Sequence, residues 1–536
     1  MANSPGNSRK WFYPIDSTAW ILILVLSLVI GILVVKGDRT APRIRDFTWE
    51  NRQVGTEDAA FMLTFSRPMD HASVENNLQI KPDLPGKTSW AGRRMAYTLD
   101  APAPYGENFE LKLQGARDRF SPPDDVQTQM QLYTGQFKTR DRAFVYLGVE
   151  GNEAGRLVLQ NLTQQQQQIL TPENLVVMDF KPYPEGDRLL FSASDRTDAK
   201  ALLNQQIYTV TTGISLKQSA SDPGEKKSAP STPAATLPGV VNLVLDNKEY
   251  QNLKFDLSPN GKIVIVQRIN QKNPADSGIW MIKDGAPPQP MKTASGGDFL
   301  IAPDSTSLAM SQGQGMAILP LDPDGQRLDF LPKFGVALSF ANDGSAAAMV
   351  KFNRDPTNPT RSLFLVTNQG VEKELLKTDG SIISAEFDPI RKNLYCLVTK
   401  RLPGEEYIEE PYLIAINLDT AKRVDLLRLP IQRDIQMSLA PDGLGILFDQ
   451  VVAEKKGGDK ASDKASDKAS DKASDKASDK ASDKATQSGL IRGSDGSAIA
   501  SSRLWFFPIL LNEAHLTLPA EPQALDLPGL RPRWLP

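Results

Sequence analysis

The hydrophobic pattern of this chain changes character once, near its start. Thr18 to Val35 (TAWILILVLSLVIGILVV) is an uncharged apolar run, closed by Lys36, Asp38 and Arg39. As a helix rising 1.5 Å per residue it would be about 27 Å long, close to the roughly 30 Å hydrocarbon core of a bilayer. Trp11, Phe12, Tyr13 and Trp20 gather at its start, where amphipathic rings favour the membrane interface. A cleaved leader needs a small-x-small site, and Val34-Val35-Lys36-Gly37-Asp38 has none. The run therefore predicts an uncleaved transmembrane helix over 18–35 behind a short tail, 1–17. Ser27 and Gly31 form a small-xxx-small pair through which two such helices could approach each other.

Beyond residue 40 the apolar positions alternate with period two. Ala60–Phe65, Met95–Leu99 and Asn108–Leu113 are short alternating runs bounded by Pro, Gly and Asp turns. Several of these within about 100 residues predict a β-sandwich over 41–139. No helical periodicity of useful length occurs there, and His71 reads as a surface turn residue. From 140 to 536 one feature recurs: an apolar strand, a Pro-Asp-Gly-like turn, then a second apolar strand. Copies end at Pro182, Pro259, Pro303, Asn342, Pro389 and Pro441. A four-stranded unit of about 40–50 residues is the period of a propeller blade. The last residues, Arg531 to Pro536, look like one more first strand with nothing after it. Arg142 to Gly148 looks like its missing partner. Joining the two closes the ring and leaves no open seam. The fold expected is all-β: a seven-bladed β-propeller (140–536) preceded by a sandwich and one N-terminal transmembrane helix.

Two resemblances follow from these residues. Phe65-Ser66-Arg67-Pro68-Met69-Asp70, then Ser89-Trp90 and Gly106…Phe109-Glu110-Leu111, resemble the bacterial Ig-like domain of S-layer-type surface proteins. That resemblance implies a spacer or adhesion module with no catalytic residues. The repeat spacing resembles TolB-type and WD-repeat-like propellers, which implies architecture and little about function.

Two stretches break the repeat. Residues about 215–238 are rich in Pro, Ser and Ala. Residues about 454–500 hold a tandem Ala-Ser-Asp-Lys tract from Ala461 to Lys484. The first is expected to be a disordered insertion from its composition, and the second because a period of four stacks like charges along a helix. The second falls between the second and third strands of its repeat. The preceding repeat places Glu405, Glu406, Tyr407, Glu409 and Glu410 in the equivalent loop, a possible partner-binding loop for a basic protein or a cation.

Composition removes most chemistry. Two histidines and one cysteine leave little for a metal centre or a nucleophilic triad, and Cys396 sits in an apolar run. No G-x-S-x-G elbow, H-E-x-x-H, phosphate loop or paired C-x-x-C occurs. Asp322-Pro323-Asp324-Gly325 reads as a type I turn rather than a calcium loop. No catalytic, cofactor or metal residue is assigned, and a net charge of −3 argues against nucleic acid. The function expected is a membrane-anchored interaction scaffold that binds a protein or envelope component and is not an enzyme. An adhesion or envelope-structural role and a propeller lyase or hydrolase are the alternatives. Lys36, Arg39, Arg43 and Arg45 outnumber Arg9 and Lys10 around the helix, which by itself keeps the later domains in the cytoplasm. The domain types resembled point the other way, to a single-pass cell-membrane protein with its C-terminal domains outside.

Overall fold

The computed structural model describes residues 14–36, 41–120, 129–198, 203–214, 237–291, 297–322, 328–353, 355, 357, 359–432, 434–453, 499–512 and 515–536. All but edge residues of the two expected insertions and of the 322–325 turn lie outside these, as does the tail before residue 14. The described chain is almost entirely β. It divides into two units: Met1–Asn51, Ala60–Thr98 and Phe109–Phe137; and Arg52–Ala59, Leu99–Asn108 and Lys138–Pro536.

An apolar run free of proline forms the helix Pro14–Lys36. From residue 18 to 32 its side chains are exposed on every side, Leu22 and Leu24 each at 69%. Among the described residues no helix is long and apolar enough to cross a membrane; the described side chains of this one stop at residue 32.

The sandwich consists of two four-stranded sheets. One has the order Ile44–Phe47, Ala60–Phe65, Arg94–Leu99, Gly86–Ala91; the other Gln53–Val54, Tyr133–Thr139, Asn108–Leu113, Leu78–Lys81. Alternation decides the facing: Phe61, Leu63 and Phe65 are buried while residues 60, 62 and 64 point away. Between the sheets Phe137 meets Trp49 and Phe109 at 5.0 Å and Phe47 at 6.1 Å. One expectation needs correcting. The segment after Met69 is a helix, His71–Asn77, rather than a plain turn. Asp70 caps it, its carboxylate accepting from the Ser73 N–H at 3.2 Å. The His71 ring stacks on Trp90 at 4.2 Å. A helix of two turns is too short to leave a 3.6-residue signature, so periodicity missed it.

The second unit is a propeller. Among the described residues it holds seven antiparallel sheets of four strands. Six run in chain order from an innermost first strand: Leu175–Pro182, Tyr250–Leu257, Phe299–Ile301, Val336–Phe340, Ile382–Phe387 and Met437–Leu439. The remaining sheet is composite. Gln166–Ile169, Leu157–Asn161 and Ala143–Gly148 are completed by the C-terminal strand Gly529–Trp534, with Gly529 opposite Gly148 and Trp534 opposite Phe144. From Tyr250–Leu257 onward each first strand contacts the next, round to Gly529–Trp534. The Arg531 guanidinium then reaches the Met178 carbonyl, and Lys181 pairs with Asp256. These contacts join the first strands into a ring about an axis. Apolar layers fill the space between sheets; Val145, Leu157, Val177, Leu189 and Phe191 belong to one such layer.

The repeat register read from the first copy shifts by two. Tyr183 N–H bonds the Arg188 carbonyl at 3.0 Å and Gly186 N–H the Tyr183 carbonyl at 2.9 Å. Ser258 and Gly261 make the same pair of bonds, both at 2.8 Å. The counterpart of Pro259 is therefore Pro184, not Pro182; with prolines at both positions the local sequence fits either register.

Candidate functional site at the axis of the sheet ring

The loop singled out by sequence contributes less charge than its letters suggest. Its flanking strands are Asn393–Arg401 and Glu409–Asn417, so Glu409 and Glu410 belong to a strand and not to the loop. Glu410 is only 4% exposed. The Tyr412 hydroxyl and the Arg428 guanidinium both bond its carboxylate and hold it below the usual carboxyl range. Burial pushes Glu409 upward, but bonds from the Thr399 and Tyr407 hydroxyls outweigh it and keep the group low. Tyr407 is exposed, with the Arg401 guanidinium 5.1 Å from its ring centre. Of the four carboxylates, only those of Glu405 and Glu406 stand exposed, at the tip. Two of the four carboxylates are free to meet a partner; the others are internal ties.

The richer polar set lines the axis, and sequence reasoning missed it. First strands and the residues just before them contribute it one or two at a time. Lys181 pairs with Asp256 on the next sheet, and Lys254 with Asp298 on the one after. The Arg533 guanidinium bonds the Gln436 side chain at 3.3 Å and lies 3.9 Å from Glu386.

A rule runs through these contacts. Asp256 accepts from the Ile301 N–H at 2.9 Å, Glu386 from the Leu439 N–H at 2.8 Å, and the Ser438 hydroxyl from the Trp534 N–H at 3.2 Å. Each donor is the last residue of the following first strand. A side chain on one sheet thus satisfies the end of its neighbour, where the neighbour's own ladder has run out. Asp449 also ties backbone together at the seam, though not at strand ends. Fully buried on a second strand, it accepts from the Gln436 and Arg531 N–H groups, both at 2.7 Å.

Among the described residues, two hydroxyls at the axis are left over. The hydroxyls of Ser339 and Ser384, on adjacent first strands, are buried without a hydrogen-bond partner. Glu386 lies deep in the ring with 26% of its side chain open. Burial raises its carboxyl above the ordinary range, against the opposing pull of Arg533 and the Leu439 N–H. Asp449 is pushed up to about 6, again by burial first. Cys396 is fully buried and its thiol is raised further, so it is inert. Among the described residues no cluster of three or more His, Cys, Asp or Glu side chains could hold a metal. One signal in the sequence pointed to the axis: Asp256, Glu386 and Ser438 each stand three residues before the repeat proline.

No protein-family model matches the chain, and no curated protein matches it. Solved structures resemble it in fold. TolB from Acinetobacter baumannii is 14% identical, with 66% of this chain and 80% of that one covered at a TM-score of 0.35. An oligogalacturonate lyase from Vibrio parahaemolyticus is 11% identical, with 58% and 86% covered at 0.40. A putative 6-phosphogluconolactonase from Bacteroides fragilis is 13% identical, with 74% and 98% covered at 0.39. Likenesses this distant pass no activity and no partner to this chain.

Proposed function

We propose that this chain is a membrane-anchored, extracytoplasmic scaffold. In this reading the propeller is seven-bladed, the sandwich is an Ig-like spacer, and the propeller binds a protein or an envelope component. The axis carries the proposal. Its charged side chains are spent on one another and on strand ends, which is how a ring is held together rather than how a substrate is turned over. The anchor is supported by a helix apolar all round whose described side chains are exposed, the pattern of a helix meant for lipid. Glu405, Glu406 and Tyr407 form the exposed tip a basic partner would meet.

The buried Cys396 makes the test simple, because an introduced cysteine is then the one reactive thiol. Glu405→Cys should stay with membranes through an alkaline wash and react with an impermeant maleimide on intact cells stripped of any outer layer. Release by the wash would remove the anchor. Labelling only after permeabilisation would put the propeller in the cytoplasm.

A second reading, an enzyme using carboxylates in the channel, rests on Glu386. A raised carboxyl partly open to a channel is the form a general acid takes. Turnover by the purified chain that is lost in Glu386→Gln would favour it over the scaffold.

A further inference from the structure

Four of the repeat turns carry Asn or Asp at one equivalent position: Asn260, Asp304, Asp343 and Asp442. The first three accept within their own turns, from the N–H groups of Lys262, Thr306 and Ser345, and Asp343 adds Arg391 of the next turn. Asp442 takes the Leu444 N–H of its own turn with one oxygen, but its other oxygen reaches outside the repeats. That oxygen accepts from the Tyr105 N–H at 3.0 Å and from the Arg142 guanidinium at 2.6 Å, on a residue only 5% exposed.

Tyr105 lies in Leu99–Asn108, the stretch joining the sandwich strands Arg94–Leu99 and Asn108–Leu113, yet it is compact with the propeller. Its carbonyl accepts from Arg142 Nε at 3.4 Å, the Gly106 N–H bonds the Arg140 carbonyl at 2.7 Å, and the Thr139 hydroxyl bonds the Pro104 carbonyl at 2.8 Å. The fit is close at Gly106, where φ is +83° and a Cβ would lie 2.6 Å from the Thr163 hydroxyl. On the other side the Arg140 guanidinium donates to the Pro184 carbonyl at 3.4 Å. The residues leading into Ala143–Gly148 are thus bonded to a turn of the sheet on either side of the composite one.

We propose that Leu99–Asn108 is a strap that closes the ring a second time, and that through it the sandwich governs how readily the seam opens. The C-terminal strand closes the ring by strand pairing. The Asp442–Arg142 pair joins the same two sheets without it, and the strap supplies the backbone donor that this buried carboxylate shares with the guanidinium. Lifting the strap leaves a buried charge short of a donor, a cost that falls on the seam. Both ends of the strap run straight into paired strands, one in each sheet of the sandwich, so slack in the sandwich becomes slack in the strap.

Hydrogen exchange of the full-length chain reads the seam at Gly529–Trp534. Asp442→Ala should speed exchange there at least tenfold, as should Gly106→Val, which spares every repeat turn. Asp304→Ala, which cuts the equivalent turn and nothing else, should leave it unchanged. Leu111→Ala, in the sandwich core, should speed it as well and should add nothing once Asp442→Ala is present. Seam exchange unmoved by both strap variants, or moved equally by Asp304→Ala, would overturn the second closure. A response to Leu111→Ala that is absent, or as large with the strap cut as without, would overturn its control by the sandwich.

Discussion

Asp449 condenses the chemistry of the ring into one residue. Its two oxygens each take a backbone N–H, one before the last first strand and one on the C-terminal strand. Burial costs the ionised form more than these bonds return, so the folded carboxyl titrates at about 6, while an unfolded aspartate titrates near 4. The folded state therefore holds a proton that the unfolded state has lost between those values. This contribution to stability is complete below about pH 4 and is lost as pH rises through about 6. Urea unfolding at pH 4.5 and 7 should show it as a slope of at most about 1.4 kcal/mol per pH unit. Asp449→Asn should flatten that slope. It should also destabilise at every pH by about 1–3 kcal/mol, because an amide offers one acceptor where two donors converge. An unchanged slope in the variant would assign the pH dependence to Glu386 and Asp388, whose carboxyls burial raises in the same direction.

At the scale of elements, the His71–Asn77 helix is the piece most dependent on a single side chain. Seven residues give too few hydrogen bonds to offset nucleation, so the cap and the packing of Val74 must hold it. Asp70→Ala should lower the stability of the sandwich by about 1 kcal/mol, measured as a shift in its denaturant midpoint. Asp70→Asn should recover most of that. A loss with alanine that asparagine does not recover would trace the effect to the Arg117 ion pair instead. The Phe65–Asp70 motif was legible as a place where the chain turns. What it does, ending a strand and capping a helix, came from the hydrogen bonds.

At the scale of the molecule the first and last strands of the second unit matter most. Leu530, Trp534 and Leu535 are each 5% exposed or less. Burying three such side chains is worth roughly 5 kcal/mol or more, comparable with the whole stability of many domains. Removing residues 529–536 also frees an edge of Ala143–Gly148 and strips Asp449 of one partner. The truncated chain should lose its cooperative thermal transition or melt more than 10 °C lower. A shift under 3 °C would mean the seam is not what holds the ring. Around the axis most charged side chains meet the next sheet, as Lys181 meets Asp256, while Arg533 reaches past one sheet to Glu386.

The order of elements was determined by sequence alone, because alternation of apolar residues and the turn residues between them are local properties. The run before Lys36, the strands Ala60–Phe65 and Asn108–Leu113, the repeat turns and the orphan terminal strand could all be read from neighbours in the chain. The axial set could not. Lys181, Asp256, Glu386 and Arg533 lie scattered over the sequence and become neighbours only when the first strands meet. The loop at 405–410 shows the converse. Its letters promised four carboxylates, but strand pairing with Lys400 and Arg401 drew Glu409 and Glu410 inward. Which side chains a partner can reach is decided by burial, and burial is set by contacts between residues far apart in the chain.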